Sequence, residues 1–122
     1  MRIAIGGFLV AHGLMHGVVW ILKPNPNLRG VPEFSNSWLI GSTRTLSAAA
    51  AGVVALTLVF GGVALFAHAP AWRPIAVAGL AGSLLLDVLY FTPWLSFITI
   101  VNATFLIELV WVGWPSKGQL GA

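Results

Sequence analysis

Two histidines in the first apolar segment of this 122-residue chain have the spacing of a shared site. His12 and His16 are four positions apart, so on a helix their side chains lie on one face. Asp87 belongs to the third apolar segment, and it reaches a depth comparable with that of His16 if the segments cross a membrane alternately. A charged group at the centre of a membrane helix costs at least about 2.5–3.5 kcal/mol, which calls for a reason. We therefore take His16 and Asp87 as candidate catalytic residues.

Four other polar residues are candidates for binding a substrate or an ion. They are His12, Arg44 at the start of the second segment, and Asn102 and Glu108 in the fourth. The expected order in depth is Arg44, then Asp87 with His16, then His12 with Asn102, and last Glu108. Asn102 and Glu108 are six positions apart, about 120° around a helix axis, so we expect them to face different cavities.

Three kinds of chemistry fit these residues. His12, His16 and Asp87 could supply three ligands to a metal ion and leave a fourth position open. Alternating acids and histidines also form proton or ion pathways in transporters. The third possibility is a pocket for a lipid-soluble substrate, with acid–base groups in its wall. The sequence leaves the cofactor open.

A structural interpretation explains the same residues without chemistry. In that case Arg44 pairs with Asp87, the histidines bond to neighbouring hydroxyls or carbonyls, and Glu108 is neutral or contacts a partner. We expect Arg44 to interact with Asp87, directly or through water. We also expect both histidines to face the interior, with His16 within reach of Asp87.

The sequence predicts that these residues lie on membrane-spanning helices. Hydrophobic residues make up 58% of the chain and charged residues only 7%, against about 25% charged in soluble domains. About 20 apolar residues suffice for a helix to cross a bilayer, and such segments occupy positions 3–22, 45–67, 72–91 and 94–114. The prediction is an all-α membrane protein with a single domain, 1–122, folded as an antiparallel bundle of four transmembrane helices.

Composition also excludes several classes of function. The chain has no cysteine, which rules out disulfides, thiolate catalysis and cysteine-ligated metal. Its six basic residues are scattered singly, so we expect no nucleic-acid partner. Three of them fall on each side of an alternating four-span topology, so the positive-inside rule does not indicate an orientation.

Tryptophans and loop residues support the same four spans. Alternating spans place the tryptophans in the two belts expected of membrane interfaces, with Trp20, Trp38 and Trp94 at one face and Trp72, Trp111 and Trp114 at the other. Both ends of the chain then lie on one side. Prolines and asparagines at 24–27 end the first helix, and the connection 23–42 is long enough for a short interfacial element. His68 is expected to be a solvated loop residue.

Small residues predict how the helices pack. Close contact between membrane helices needs small side chains at the contact. Suitable pairs are Gly13 with Gly17, Ala48 with Gly52, Ala78 with Gly82, and Gly79 with Ser83. The fourth helix has almost none, so we expect the first three helices to pack closely and the fourth to be peripheral or at a subunit contact.

The segments Gly6-Gly7-Phe8 and Gly13-Leu14-Met15-His16 resemble the first helix of small DoxX-like four-helix membrane proteins. Ser37-Trp38-Leu39-Ile40-Gly41 and the segment 72–79 resemble uncharacterised bacterial membrane proteins of this size. His16 stands where DoxX relatives often carry a lysine. The resemblance implies a four-helix protein of the bacterial cytoplasmic membrane, sometimes associated with redox partners and quinones, with no settled activity.

These observations lead to one expected function and two alternatives. We expect a non-enzymatic membrane subunit or a protein that binds a small molecule at a buried His/Asp site. The alternatives are a small membrane enzyme acting on a lipophilic substrate and a proton-coupled transporter. The expected partners are the lipid bilayer, a lipophilic small molecule, and further copies of the chain or a larger membrane complex.

Overall fold

Four apolar helices make up most of the protein. The computed structural model describes residues 1–22 and 34–121. The helices are α1 at Arg2–His16, α2 at Arg44–Phe66, α3 at Trp72–Leu89 and α4 at Ser96–Ile107. Short turns extend them: π-helical turns follow α1 at Gly17–Ile21 and α4 at Glu108–Val112, and 3-10 turns occupy Pro93–Leu95 and Gly118–Leu120.

The four predicted spans are confirmed as helices to within two residues at each end. With their flanking turns, the segments long and apolar enough to cross a membrane are Arg2–Ile21, Arg44–Phe66, Trp72–Leu89 and Pro93–Val112. Their length and composition match the requirement for a bilayer crossing. The predicted stop of the first helix at 24–27 lies outside the described residues.

A small β-hairpin precedes α2, in the described part of the first connection. Strand β1, Asn36–Ser37, pairs antiparallel with β2, Gly41–Ser42. The hairpin covers the end of α3, because the Ser37 hydroxyl donates to the Leu89 carbonyl at 2.7 Å and the Trp38 indole donates to the Val88 carbonyl at 2.6 Å. Both carbonyls belong to the last turn of α3, where carbonyl groups have no hydrogen-bond donor within the helix itself. The predicted interfacial element is therefore a pair of two-residue strands, a minor departure from an all-α fold.

Helix α2 lies between α1 and α3, and glycines set the distances. A Cβ atom on Gly13 of α1 would lie 2.6 Å from the Ala55 carbonyl oxygen, and one on Gly62 of α2 would lie 2.7 Å from the Gly6 carbonyl oxygen. Toward α3, a Cβ atom on Gly61 would lie 3.2 Å from the Ala76 nitrogen. Backbones that approach so closely leave no room for a side chain.

These contacts correct the predicted glycine pair on α1. Gly13 is at a helix contact, but an added Cβ on Gly17 would meet nothing within 4 Å. The adjacent glycines of α2, Gly61 and Gly62, face opposite neighbours and were not predicted. Helix α4 is peripheral as expected: 17% of its span is buried, against 33–39% for the other three.

The tryptophans gather at two ends of the bundle. Trp20 and Trp94 both contact the ring of Phe34, and Trp20 also contacts Tyr90 next to the end of α3, where Trp38 is bonded. At the other end, the Arg73 guanidinium lies 5.3 Å from the Trp72 ring centre. It donates to the carbonyls of Leu109, Gly113 and Pro115, which fastens the start of α3 to the end of α4.

The outward faces of the helices are apolar. Large hydrophobic side chains are exposed on all four helices, among them Leu14, Phe60, Leu85 and Phe97, the last at 77%. Thr57 is a polar residue on this surface, and its hydroxyl donates to the Val53 carbonyl of its own helix at 2.8 Å. An apolar surface on every helix is typical of a protein surrounded by lipid.

The glycine contact between α1 and α2 gives a direct test. We expect Gly13→Ala to destabilise the protein by about 1–3 kcal/mol, because the added methyl group overpacks the contact. Gly17→Ala, four residues along the same helix, is the matched control and should be neutral or slightly stabilising, since alanine favours helices. Unfolding of both variants in mixed micelles, followed by circular dichroism, measures the difference. An equal loss of stability would show that Gly13 is not at a close contact.

Candidate functional site

The hydroxyl of Ser83 is the centre of a buried group of polar side chains. His16 Nε2 lies 2.7 Å from Ser83 Oγ, and His12 Nε2 lies 3.3 Å from it. Asn102 Nδ2 donates to Ser83 Oγ at 2.7 Å and to Asp87 Oδ2 at 2.8 Å. We call His12, His16, Ser83, Asp87 and Asn102 the polar cluster.

Three helices build the polar cluster from matched spacings. His12 and His16 are one turn apart on α1, and Ser83 and Asp87 are one turn apart on α3, so each pair shares a helix face. Asn102 is buried on α4 between the two residues of α3. All five side chains are at most 7% exposed, so each hydrogen bond forms away from solvent.

The hydrogen bonds fix which groups donate. The two amide hydrogens of Asn102 go to Ser83 and Asp87, because the opposite orientation would bring the amide oxygen against the Asp87 oxygen. Ser83 Oγ therefore accepts from Asn102 and retains one hydrogen and one lone pair for the two imidazoles. It donates to one histidine and accepts from the other. At Nε2, one imidazole is thus an acceptor and the other a donor.

A row of rings on α1 orients the histidines. Phe8, His12, His16 and Trp20 follow one another at intervals of four residues, with successive ring centres 5.5, 5.1 and 5.8 Å apart. Rings at this distance restrict one another's rotation. His16 Nδ1 is buried and has no hydrogen-bond partner among the described residues.

A cavity of about 190 Å³ lies beside the polar cluster. His12, His16 and Asp87 contribute its polar wall, and the apolar wall is formed by Met15, Val19, Trp20, Trp94, Leu95 and Ile98. Val19 and Trp20 belong to the π-helical turn that begins directly after His16. Such turns occur often at functional sites. The cavity therefore brings titratable groups and an apolar, aromatic surface together in one space.

The geometry of these residues favours neither a metal site nor a nucleophilic serine. No group of three His, Cys, Asp or Glu side chains in the described ranges is arranged to hold a metal ion, since Ser83 lies between the imidazoles and Asn102 lies between Ser83 and Asp87. Ser83 is fully buried and does not line the cavity. A nucleophilic serine needs access to its substrate and a base oriented by an acid, and here Asp87 bonds to Asn102 instead.

The structure brings together four of the six predicted site residues. His12 and His16 face the interior as predicted, and Asp87 and Asn102 join them. His16 reaches Asp87 through Ser83 and Asn102, with no direct hydrogen bond between the two. Ser83 was predicted only as a packing residue, although its spacing of four from Asp87 repeats that of His12 and His16.

Arg44 and Glu108 lie apart from the polar cluster. The Arg44 guanidinium donates to the Ile21 carbonyl at 3.1 Å, and the predicted direct contact with Asp87 is not among the hydrogen bonds of residues 1–22 and 34–121. The carboxylate of Asp87 accepts from Asn102 on α4 instead, and the Arg44 side chain extends to the end of the first helix. Glu108 lines a separate cavity with Thr104, Phe105 and Trp114, which confirms that it and Asn102 face different spaces.

No family model matches the chain, and neither a curated protein nor a solved structure matches it. The resemblance to DoxX-like proteins stays a prediction. Inferences about function therefore depend on the polar cluster and the cavity beside it.

Removal of the Ser83 hydroxyl should affect stability more than removal of an exposed hydroxyl. We expect Ser83→Ala to lower the free energy of unfolding by about 1–2 kcal/mol, the upper scale of hydrogen bonds between membrane helices, because three nitrogen atoms lose their common partner. Thr57→Ala is the control, with an expected change within about 0.5 kcal/mol, since its hydroxyl bonds only to its own helix. Equilibrium unfolding in mixed micelles measures both. Equal values would mean that the cluster contributes nothing to the bundle.

Proposed function

We propose that this chain is a multi-pass membrane protein whose four helices cross the bilayer in alternation and bind a small lipophilic molecule. The four apolar helices and their apolar outward faces support the membrane location. The hydrogen bond from the Thr57 hydroxyl to the Val53 carbonyl also supports the membrane location, because a polar group that faces lipid must form its hydrogen bond within its own helix.

The cavity beside the polar cluster carries the proposal of ligand binding. A dry cavity of about 150 Å³ in an engineered protein is enough to hold benzene. The 190 Å³ here would therefore hold one six-membered ring with a small substituent. Ordinary drug-sized pockets are larger, about 300–1,000 Å³, so the ligand is either small or inserts only its headgroup.

The polar wall indicates the chemistry of the ligand. Imidazole and carboxyl groups offer both donors and acceptors, and the remaining wall is apolar and contains two indoles. A hydroxyl- or carbonyl-bearing ring satisfies both requirements, with its oxygen toward His16 or Asp87 and its carbon skeleton against Leu95 and Ile98. We propose a lipophilic alcohol, phenol or ketone as the class of ligand.

The same geometry could serve the two alternative functions. An enzyme would use His16 and Asp87 as acid–base groups, since both border the cavity. A proton-coupled transporter would use the Ser83 hydroxyl as a relay: it would accept a proton from Nε2 of one protonated histidine while giving its own proton to Nε2 of the other. Both stay predictions beside the leading proposal of ligand binding.

Thermal unfolding in the presence of phenol or toluene tests the ligand class. Phenol should stabilise the protein more than toluene, which has the same ring without the hydroxyl, since a ligand of the folded state raises stability by RT ln(1 + [L]/Kd). Val19→Phe fills the cavity and should abolish the stabilisation. The adjacent Val18 is 54% exposed, so Val18→Phe is the matched control and should retain it. Equal stabilisation by both compounds would show that the polar wall does not recognise the hydroxyl. An effect unchanged in Val19→Phe would exclude this cavity as the site.

Membrane topology has a separate test, which the absence of cysteine makes simple. Single cysteines replacing Ala71 and Lys117 should be labelled from one side of the membrane, and one replacing Asn36 should be labelled from the other. An impermeant maleimide applied to cells or oriented vesicles, before and after permeabilisation, measures accessibility. Labelling of all three positions from the same side would contradict the alternating four-span topology.

A further inference from the structure

Another cavity, at the opposite end of the bundle from Trp20 and Trp94, has a basic lining. We call it the second cavity, and the one beside the polar cluster the first. Its volume is about 270 Å³, and Arg2, His68 and Lys117 line it together with Leu65, Trp72 and Leu120. These residues come from the start of α1, from the stretch that joins the end of α2 to the start of α3, and from the segment after α4. The cavity thus forms only when all these parts of the chain meet.

Among the residues that the structure describes, none in the walls of this second cavity compensates its positive charges. No carboxylate lines it: of the acidic residues that the structure describes, Asp87 belongs to the polar cluster and Glu108 to a different cavity. Arg2 donates a hydrogen bond to the ring of His68, which holds the guanidinium at the cavity. Its Nε nitrogen is buried and has no partner among the described residues. A buried donor without a partner calls for an acceptor.

Arg73 lies at the same end of the bundle but differs from Arg2 in its hydrogen-bond partners. Its guanidinium already donates to three carbonyl oxygens, at 3.0, 3.3 and 2.7 Å. Arg2 has donors left over, and the Lys117 ammonium forms no ion pair within residues 1–22 and 34–121 and is exposed at the cavity. Arg73 therefore stabilises the contact between helices, whereas Arg2 and Lys117 have donors that can bind a ligand.

The depth of this cavity indicates the anion. It lies where α1 and α3 begin and α2 ends, which is the headgroup level if the helices cross a bilayer as proposed above. Lipid phosphate is the anion concentrated at that level, and basic pockets between membrane helices bind lipid headgroups. Guanidinium also matches two phosphate oxygens at once. Leu65, Trp72 and Leu120 supply an apolar wall that suits acyl chains and would be of no use to a free anion.

We propose that Arg2, His68 and Lys117 form a binding site for the phosphate of an anionic glycerophospholipid. The inference rests on the proposed membrane location and is independent of the ligand proposed for the first cavity. Its occupant would be a lipid of the surrounding bilayer, held at the end of the bundle that Arg73 fastens.

Binding of short-chain lipids to the full chain in a zwitterionic detergent, measured by native mass spectrometry, tests the site. Short-chain phosphatidylglycerol should bind saturably and at least tenfold more tightly than the matching phosphatidylcholine. Arg2→Gln and Lys117→Gln should each weaken phosphatidylglycerol binding severalfold, and Arg2→Lys and Lys117→Arg should largely retain it. Arg44→Gln removes the same charge at the other end of the bundle and should leave the affinity unchanged.

Three results would overturn the proposal. Equal binding of the two lipids would show that charge is not recognised. Displacement of phosphatidylglycerol by millimolar inorganic phosphate would show that the site takes a soluble anion. An unchanged affinity in Lys117→Gln, an exposed position whose substitution leaves the fold intact, would place the lipid elsewhere. Because cysteine labelling tests the membrane location separately, failure here with the expected topology would count against the lipid site alone.

Discussion

The hydrogen bonds of Ser83 constrain the helices that carry the candidate site. A polar side chain in an apolar interior must find a partner, and here one small hydroxyl meets nitrogen atoms from α1 and α4 while it is itself fully buried on α3. Any rotation or sliding of one of these helices by a turn would leave several buried groups unpaired. The cluster therefore fixes the rotation and depth of α1, α3 and α4, which contacts between apolar side chains alone leave loosely defined when the helices are apolar on every side.

Helix α2 helps to position the polar cluster through close backbone contacts. It contributes no side chain to the polar cluster, and its two adjacent glycines allow close backbone contact with α1 on one side and α3 on the other. This contact holds α1 and α3 near enough for the histidines to reach Ser83. Because α4 is more peripheral and meets the bundle through Asn102 and Phe105, space remains between α1, α3 and α4, and that space is the first cavity.

The two ends of the bundle differ in character. At one end, Trp20, Phe34, Tyr90 and Trp94 pack against one another beside the first cavity. At the other, Arg73 fastens α3 to α4, and Arg2 and Lys117 face the second cavity. The row of rings from Phe8 to Trp20 leads along α1 from the middle of the bundle to the aromatic end. One helix thus presents both the imidazoles and the indole to the ligand proposed for the first cavity.

The helices, and the positions of the buried polar residues along them, could be predicted from the sequence. Four runs of apolar residues, separated by prolines, predict the helices because each run has the length of a bilayer crossing. The spacing of His12 and His16 placed them on one face, and the depth argument brought Asp87 and Asn102 to a similar level. Rotation of α2 and α4 about their axes was beyond the sequence, since their outward-facing and buried residues are alike in composition.

Tertiary structure decided which polar groups meet. Depth alone paired Arg44 with Asp87, but the rotation of α4 brings Asn102 to the carboxylate, and Arg44 bonds to the end of the first helix. Ser83 was predicted as a packing residue because it is small and lies four positions from Gly79, a spacing that suits a close helix contact. Only the approach of α1 and α4 makes it the common partner of three side chains. The second cavity needs three separate parts of the chain, at residue 2, at 65–72 and at 117–120, so no local pattern in the sequence could predict it.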